Sequence, residues 1–322
     1  MISGKYQRAF RIMGYVTIAA VYFLILVGGV VRASGSGMGC PDWPKCFGRW
    51  VPPTDVSQLP DNYQEIYAHR GYADTEFNAI KTWIEYINRL VGVIIGFLIF
   101  VTLLLSLSYW KTDKPIVIAS FLSFVLVGFN GWLGAVVVAS NLVPVIITLH
   151  MIAALLVVGT LIYAVARTRR GPEHFGAMRA HAGIPWMIGV VLSLSLIQLI
   201  LGTQIREQVD ELSIVLGDAN RAQWANEFGR SFYIHRTLSV AVLIANVALV
   251  MLIARNTVSK GALLRGAYAL VALIAAEIIA GIVLYYGGMP ASFQPVHLLL
   301  AALLFGTQFY VAIAYRLRTH RD

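Results

Sequence analysis

The chain alternates between long apolar blocks and shorter polar connections. Each block is long enough to cross a bilayer, which takes roughly 20 residues per helix. A single helix satisfies its own backbone hydrogen bonds, as a membrane-spanning segment must. The pattern therefore predicts an all-α polytopic membrane protein with eight transmembrane helices. The apolar blocks lie at 12–31, 86–109, 116–139, 144–166, 184–205, 233–254, 262–286 and 294–315.

The composition agrees with this pattern. The 322 residues are 58% hydrophobic and only 13% charged, whereas a soluble domain carries about 25% charged residues. The first block follows Lys5, Arg8 and Arg11, as the apolar region of a signal peptide would. Because the block is too long for a cleaved region and no small-residue cleavage site ends it, we expect a retained helix.

The net charge of +9 reflects the orientation in the membrane. One alternate set of loops, including both termini, holds 15 Lys and Arg residues against Asp113, Glu173 and Asp322. The positive-inside rule puts this set, and so both termini, in the cytoplasm. The basic excess is thus a topology signal, and we predict no nucleic-acid partner.

The second half of the chain repeats the first. Asn88 and His150 are 62 residues apart, as are His235 and His297, so the halves match at an offset of 147 residues. Since four helices per half give both halves the same orientation, we predict two tandem parallel four-helix bundles. A pseudo-two-fold axis along the membrane normal would relate them. The predicted halves are 1–170 and 171–322.

A further match reveals an insertion. The segment LVGGVVR at 26–32 resembles ILGTQIR at 200–206, at an offset of 174 instead of 147 residues. The difference of 27 residues measures the extra length of the first outer loop, predicted at 32–85. A loop of this length without an obvious element of its own is usually functional. We therefore expect a lid or a docking surface on the outer face.

This loop contains the two cysteines, Cys40 and Cys46, in the segment GCPDWPKCFGRW. An oxidising compartment favours a disulfide, whereas a structural zinc site usually needs four ligands. A disulfide here would either staple the loop or relay electrons, and both interpretations remain open at this point.

Three histidines lie within predicted helices: His150, His235 and His297. Each is near the outer end of an even-numbered helix, so all three are at similar depth. Ionisable groups in spanning helices are costly and usually functional. Two imidazoles on facing helices, such as His235 and His297, form the usual cradle for a six-coordinate heme iron. The alternative is hydrogen bonding between helices.

Four arginines mark the outer membrane boundary and lie at repeat-related positions. Guanidinium groups pair well with carboxylates such as heme propionates. The alternative is that their side chains extend towards the lipid headgroups. The four are Arg32, Arg89, Arg206 and Arg236.

Two carboxylates accompany these positions. Glu85 lies one helical turn before Asn88 and shares its face, so it could deliver protons to a cofactor or simply begin the helix in solvent. Glu277 lies in the middle of an apolar helix, and its repeat partner is Asn130. We interpret Glu277 as a buried protonated acid without a catalytic role, and Asn130 as an interhelical hydrogen-bonding residue.

Taken together, these residues resemble the heme A synthase family, in its cysteine-containing bacterial branch. The resemblance rests on GGVVRASGSGMGCPDWPKCFGRWVPP, on E-x-I-x-R-x-x-G at 85–92, on IHR at 234–236, and on His150 and His297. It covers nearly the whole chain. It implies oxidation of the C8 methyl group of heme O to a formyl group, which gives heme A for terminal oxidases.

The resemblance also implies roles for particular residues. A heme b cofactor would be held between His235 and His297, and the N-terminal half would bind substrate, with His150 and Glu85 at two family positions. The cysteine pair would form a disulfide near the electron-donor side. The expected partners are a heme O synthase, which supplies the substrate, and an unidentified electron donor. The expected location is the bacterial inner membrane, with the heme sites towards the outer face. A homo-oligomer is compatible with this interpretation.

Asn88 departs from the family pattern, which has histidine at this position. An amide oxygen is a poor substitute for imidazole on iron. We favour the interpretation that His150 alone holds the substrate, because chemistry on iron needs an exchangeable position. Alternatively, His69 of the long loop supplies a ligand, or this half has lost its catalytic role.

Two other classes compete with this interpretation. A b-type cytochrome that transfers electrons would use His235 and His297 in the same way, but would leave His150 and the long outer loop without a purpose. A transporter built from parallel repeats would need helices broken in the middle of the membrane, and the apolar blocks have little Gly or Pro there.

Overall fold

The computed structural model describes residues 2–73, 75–217, 220–224 and 227–319. The end of the predicted cytoplasmic tail, including Asp322, lies outside the described residues. Within the described part, eight helices are long and apolar enough to cross a membrane, and no strand is formed. The all-α class and the eight predicted spans are therefore confirmed. The long helices are α1 (Ile2–Ala33), α2 (Ala79–Ser106), α3 (Lys114–Ala139), α4 (Pro144–Arg167), α5 (Gly183–Leu216), α6 (Arg230–Asn256), α7 (Ala262–Tyr286) and α8 (Phe293–Leu317).

Local sequence signals set several helix boundaries. The side chain of Asn78 accepts a hydrogen bond of 3.0 Å from the backbone N–H of Lys81 and so caps α2. Both α3 and α4 have a proline in their first turn, where its missing N–H costs nothing. Gly217 ends α5 with a positive φ of 72°, a conformation that glycine adopts without strain.

Neighbouring helices pack in the same order in each half. In the first half, α1 contacts α2, α2 contacts α3, α3 contacts α4, and α4 returns to α1; α5 to α8 repeat this ring of contacts. Between the halves, α8 packs on α1 and α4, and α4 packs on α5. The contact of α1 with α8 is close, since a Cβ atom at Gly306 would collide with the hydroxyl of Tyr22.

The helices expose large apolar side chains on their outer surfaces. Examples are Phe97, Trp132 and Ile244, each more than half exposed. Buried polar side chains face one another instead, as in the 2.9 Å hydrogen bond between the hydroxyls of Thr17 and Thr102. Such an arrangement suits a hydrocarbon solvent, in which polar groups need internal partners.

The first outer loop differs from its prediction. Helix α2 begins at Ala79, so Glu85 is a helical residue and the loop is shorter than the predicted 32–85. The loop also contains short helical turns, the longest at Tyr63–Ile66. It packs its own core around Phe47, whose ring makes edge contacts with four other aromatic rings. These belong to Tyr63, Tyr67, Tyr72 and Phe77.

Candidate functional site

The C-terminal half brings two predicted ligands together. His235 on α6 and His297 on α8 have ring centres 6.4 Å apart, with planes inclined at 68°. A metal–imidazole bond of about 2 Å on each side of one ion would set the two ring centres about 6 Å apart. The Nδ1 atoms of both rings are buried and lack a hydrogen-bond partner among the described residues. This spacing fits a heme iron held between the two imidazoles.

Glycines on the neighbouring helices make room for both rings. A Cβ atom at Gly202 on α5 would lie 3.6 Å from Cε1 of His235, and one at Gly281 on α7 would lie 3.5 Å from Cε1 of His297. Larger side chains at these glycines would press on the rings and displace them. Each imidazole thus lies in a notch on the adjacent helix.

Two polar residues support this pair from the outside. Gln198 donates a 2.9 Å hydrogen bond to the backbone carbonyl of His235 and so ties α5 to α6. Glu277 on α7 places Oε1 3.2 Å from Nδ1 of His297. The distance is that of an ion pair, but Nδ1 makes no hydrogen bond with suitable geometry. The sequence interpretation gave Glu277 no partner.

The N-terminal half repeats only one of the two notches. A Cβ atom at Gly134 would lie 3.4 Å from Cε1 of His150, as at Gly281 and His297 in the other half. Gly28 is the counterpart of Gly202, but no atom lies within 4 Å of the position of its Cβ. The space that His235 occupies beside Gly202 is therefore open beside Gly28.

Unpartnered polar atoms concentrate at the repeat-related positions. Among the described residues, ten buried side-chain nitrogen or oxygen atoms lack a hydrogen-bond partner. Six of the ten belong to three repeat pairs: Asn88 with His235, Asn130 with Glu277, and His150 with His297. Because such atoms are rare in folded proteins and need an explanation, their clustering indicates that both interiors accommodate a further group.

Glu85 is not a solvated residue at the start of a helix. The residue is 3% exposed, and its Oε2 accepts a 2.8 Å hydrogen bond from the backbone N–H of Cys40. The other carboxylate oxygen, Oε1, pairs with Arg89, one turn further along α2. Glu85 thus connects the helix that carries Asn88 to the outer loop.

The outer loop is held over this end of α2 by further contacts. Cys40 and Cys46 form a disulfide, as expected. Arg89 donates hydrogen bonds to the carbonyls of Asp42 and Lys45, at 2.8 and 2.9 Å. The hydroxyl of Thr82 donates a 2.8 Å hydrogen bond to the carbonyl of Gly39. The disulfide segment and the start of α2 therefore form one packed unit.

Two further residues of this loop bear on the site. The hydroxyl of Tyr72 donates to the carbonyl of Met38, and burial raises the pKa of this tyrosine, with a smaller contribution from the charge of Glu85. The hydroxyl is therefore a donor at neutral pH. His69 lies in an exposed turn of the loop, which makes it a poor candidate for a ligand in the interior.

Two of the boundary arginines already share a carboxylate. Arg32 contacts Oδ2 of Asp210 at 2.9 Å, and Arg206 contacts Oδ1 of the same residue at 2.6 Å. Arg206 also donates a 2.9 Å hydrogen bond to the backbone carbonyl of Arg32. This cluster links α1 of the first half to α5 of the second, a structural role that the sequence did not reveal.

Arg236 has a different environment. Its guanidinium lies over the rings of Tyr233 and Phe232, with distances of 5.4 and 5.9 Å to the ring centres. No carboxylate of the described residues forms an ion pair with it. Of the four predicted boundary arginines, Arg236 is thus the one whose guanidinium is most available to an anionic ligand.

Comparisons with known proteins agree in one family. Residues 11–309 match the family model COX15-CtaA, described as cytochrome oxidase assembly protein. A heme A synthase of Shewanella oneidensis is 29% identical over 154 residues, which are 48% of this chain and 44% of the relative. A heme A synthase of Alkalihalophilus pseudofirmus is 23% identical over 322 residues, covering 98% of this chain and 100% of the relative.

A heme A synthase of Nitrosospira multiformis is 31% identical over 144 residues, or 42% of this chain and 40% of the relative. The alignments to the Shewanella and Nitrosospira proteins therefore span less than half of each relative, whereas the Alkalihalophilus alignment spans that relative fully. Because the family model matches most of the chain, this protein belongs to the COX15-CtaA family of cytochrome oxidase assembly proteins.

Proposed function

We propose that this protein is a membrane-bound heme A synthase, an oxidoreductase that converts the C8 methyl group of heme O to a formyl group. The product, heme A, serves the assembly of terminal oxidases. The observation that carries the proposal is the 6.4 Å spacing of the His235 and His297 rings inside a chain of this family. The names of the similar proteins support it.

The two halves would have different binding functions. We propose that residues 1–170 and 171–322 form two parallel four-helix bundles related by a pseudo-two-fold axis along the membrane normal. The identical ring of helix contacts in each half supports this arrangement, as does the 147-residue offset. The first bundle would bind the substrate and the second would hold a permanent cofactor.

His235 and His297 would hold heme b in the second bundle. When bound, heme b supplies one-electron redox chemistry. The protein orients it: Gly202 and Gly281 make room for the imidazoles, and Gln198 secures the backbone of His235. Arg236, together with Arg206, is the proposed partner of the propionates in this half, while Arg32 and Arg89 would serve the substrate half.

His150 would hold the iron of heme O in the first bundle. The open space beside Gly28 supports the view that Asn88 does not replace the missing imidazole. One coordination position of the substrate iron would then remain exchangeable, as oxidation chemistry on iron requires. The exposed position of His69 argues against a ligand from the loop. The apolar interior suits the porphyrin and its long farnesyl tail.

Glu85 has the proposed role of moving protons between the outer face and the substrate site. It is buried one turn before Asn88, and its Oε2 holds the N–H of Cys40 at 2.8 Å. The methyl group must undergo two successive oxidations to reach a hydrated aldehyde, which then loses water. With molecular oxygen as the oxidant and two electrons from the donor, each oxidation inserts one oxygen atom, consumes two protons and forms one water molecule. The buried carboxylate of Glu85 would deliver these protons to the substrate site.

The proposed orientation places both termini in the cytoplasm and both heme sites near the outer face of the bacterial inner membrane. The distribution of basic residues supports it. A heme O synthase would supply the substrate within the bilayer. The electron donor would approach from the outer side, where the disulfide segment lies.

Pigment analysis of the purified protein tests this function. The protein is expressed in a host that makes heme O, and the extracted hemes are separated by chromatography. Heme b together with heme O or heme A supports a synthase. Heme b alone, with rapid reduction by a quinol, would instead indicate an electron-transfer cytochrome, which the comparisons do not favour.

A further inference from the structure

Glu277 places a carboxylate in the middle of a spanning helix. Acidic side chains in such positions are costly and need a partner or a function. Its one ionisable contact among the described residues is His297, whose Nδ1 lies 3.2 Å from Oε1. The second oxygen, Oε2, is buried without a hydrogen-bond partner. The carboxylate is therefore directed at one of the proposed ligands.

The surroundings of His297 fix which nitrogen faces this carboxylate. Gly281 lies one turn after Glu277 on α7, and its Cβ position would be 3.5 Å from Cε1 of the imidazole. The ring thus lies against Gly281 with Nδ1 next to Glu277, which leaves Nε2 as the nitrogen available to a metal. A neutral imidazole that binds a metal through Nε2 carries its proton on Nδ1. Oε1 of Glu277, 3.2 Å from Nδ1, is within reach of that proton.

The N-terminal half has a neutral residue at the position that matches Glu277. Asn130 lies one turn before Gly134 on α3. A Cβ atom at Gly134 would lie 3.4 Å from Cε1 of His150. Asn130 occupies the repeat position of Glu277. The residue one turn before the glycine that faces the histidine is therefore neutral in the first half (Asn130) and acidic in the second (Glu277). This difference adds to that between Asn88 and His235.

We propose that Glu277 is a positioning residue that sets the electron-donor strength of His297. A carboxylate that accepts the Nδ1 proton makes an imidazole a more basic ligand and fixes its orientation. A more basic ligand stabilises the oxidised iron and lowers the reduction potential. This inference rests on the proposed function for the presence of heme b, but not on the formation of heme A.

The potential of the bound heme distinguishes this role from a purely structural contact between α7 and α8. The full-length protein is purified with heme b bound, and the midpoint potential is measured by spectroelectrochemical titration at one pH. Glu277→Gln keeps the size of the side chain but removes the charge. We expect it to retain the heme with a midpoint potential raised by about 59 mV or more, the equivalent of a tenfold change in equilibrium for one electron.

Two further variants complete the test. Glu277→Asp restores a carboxylate and should bring the potential back towards that of the wild type, whereas Glu277→Asn, which has the same shape as the aspartate variant, should not. Asn130→Gln changes the matching position of the other half and should leave the potential of heme b unchanged. If the Gln variant cannot be purified with heme, the comparison of Asp with Asn decides.

Heme-loaded Glu277→Gln with the potential of the wild type would overturn the proposal, as would equal potentials for the Asp and Asn variants. A protein that holds heme b with these shifts but forms no heme A would support the role of Glu277 while removing the proposed function. The two claims therefore fail separately.

Discussion

The ring centres of His235 and His297 lie 6.4 Å apart in the C-terminal half. The repeat-related position in the N-terminal half holds Asn88, and there the space beside Gly28 is open. The same repeat position thus holds an amide in one half and an imidazole in the other. This difference supports the proposal that the C-terminal half, with two imidazoles, holds a permanent heme. The N-terminal half, with one, would bind a substrate whose iron can exchange a ligand.

Removal of either imidazole of the pair should abolish the spectrum of the low-spin heme. His235→Ala and His297→Ala each leave the iron with one protein ligand, so optical spectra of the purified variants should lack the six-coordinate signature. Asn88→Ala is the matched control at the repeat position and should keep this spectrum. Loss of the low-spin heme in the Asn88 variant would contradict the assignment of the two halves.

A histidine at position 88 should block the reaction without disturbing the cofactor. Asn88→His places an imidazole near the open space beside Gly28, where it can take the exchangeable position of the substrate iron. We expect a second low-spin heme in optical spectra of protein loaded with heme O, and little heme A in extracts. Heme A at the wild-type level in this variant would show that the open position is not required.

The two repeat-related glycines should respond differently to a larger side chain. Gly202→Val adds methyl groups beyond a Cβ that already lies 3.6 Å from His235, and the cost of overpacking a buried site is about 1–3 kcal/mol. We expect a lower heme b content, measured as the ratio of heme to protein. Gly28→Val meets no atom within 4 Å of its Cβ, so its heme b content should equal that of the wild type. Equal losses in both variants would contradict this difference.

The carboxylate of Glu85 should hold the outer loop in place. Glu85→Gln removes the charge that pairs with Arg89, and breaking a buried ion pair costs about 3–5 kcal/mol. We expect faster cleavage of the loop by an added protease and less heme A, with the heme b spectrum unchanged. Glu65→Gln, an exposed position in the same loop, is the control. Unchanged cleavage rates in the Glu85 variant would argue that the loop is secured by its disulfide and aromatic core alone.

Asp210 should stabilise the contact between the two halves. Asp210→Asn removes the carboxylate shared by Arg32 and Arg206. Because the carboxylate is 42% exposed, we expect a loss on the order of 1 kcal/mol, seen as a lower midpoint of thermal unfolding in detergent. Glu211→Gln changes the adjacent exposed carboxylate and should leave the midpoint unchanged. If both variants unfold at the wild-type temperature, the cluster does not contribute to stability.

The sequence predicted the eight spans because the length of an apolar block indicates a membrane helix directly. The equal spacing of Asn88 to His150 and of His235 to His297 also predicts a duplication. The start of α2 was placed too late, because Ala79 to Ile84 includes polar residues that continue the helix beyond the apolar block. A hydropathy pattern does not record such extensions.

Contacts between distant segments could not be predicted in this way. Glu277 and His297 are on different helices, and only packing sets the 3.2 Å between them. The same is true of Asp210, which pairs with an arginine of each half. The sequence does place Glu277 one helical turn before Gly281. A contact between Glu277 and His297 could have been predicted from this spacing only with the knowledge that Gly281 lies next to the imidazole.

The central claim is that the N-terminal half oxidises heme O on His150 while the C-terminal half keeps heme b. The most direct measurement is the heme content of wild type and His150→Ala, purified from a host that makes heme O and separated by chromatography. We predict heme b in both proteins, and heme A in the wild type alone. Heme A at the wild-type level in the His150→Ala protein would contradict the account.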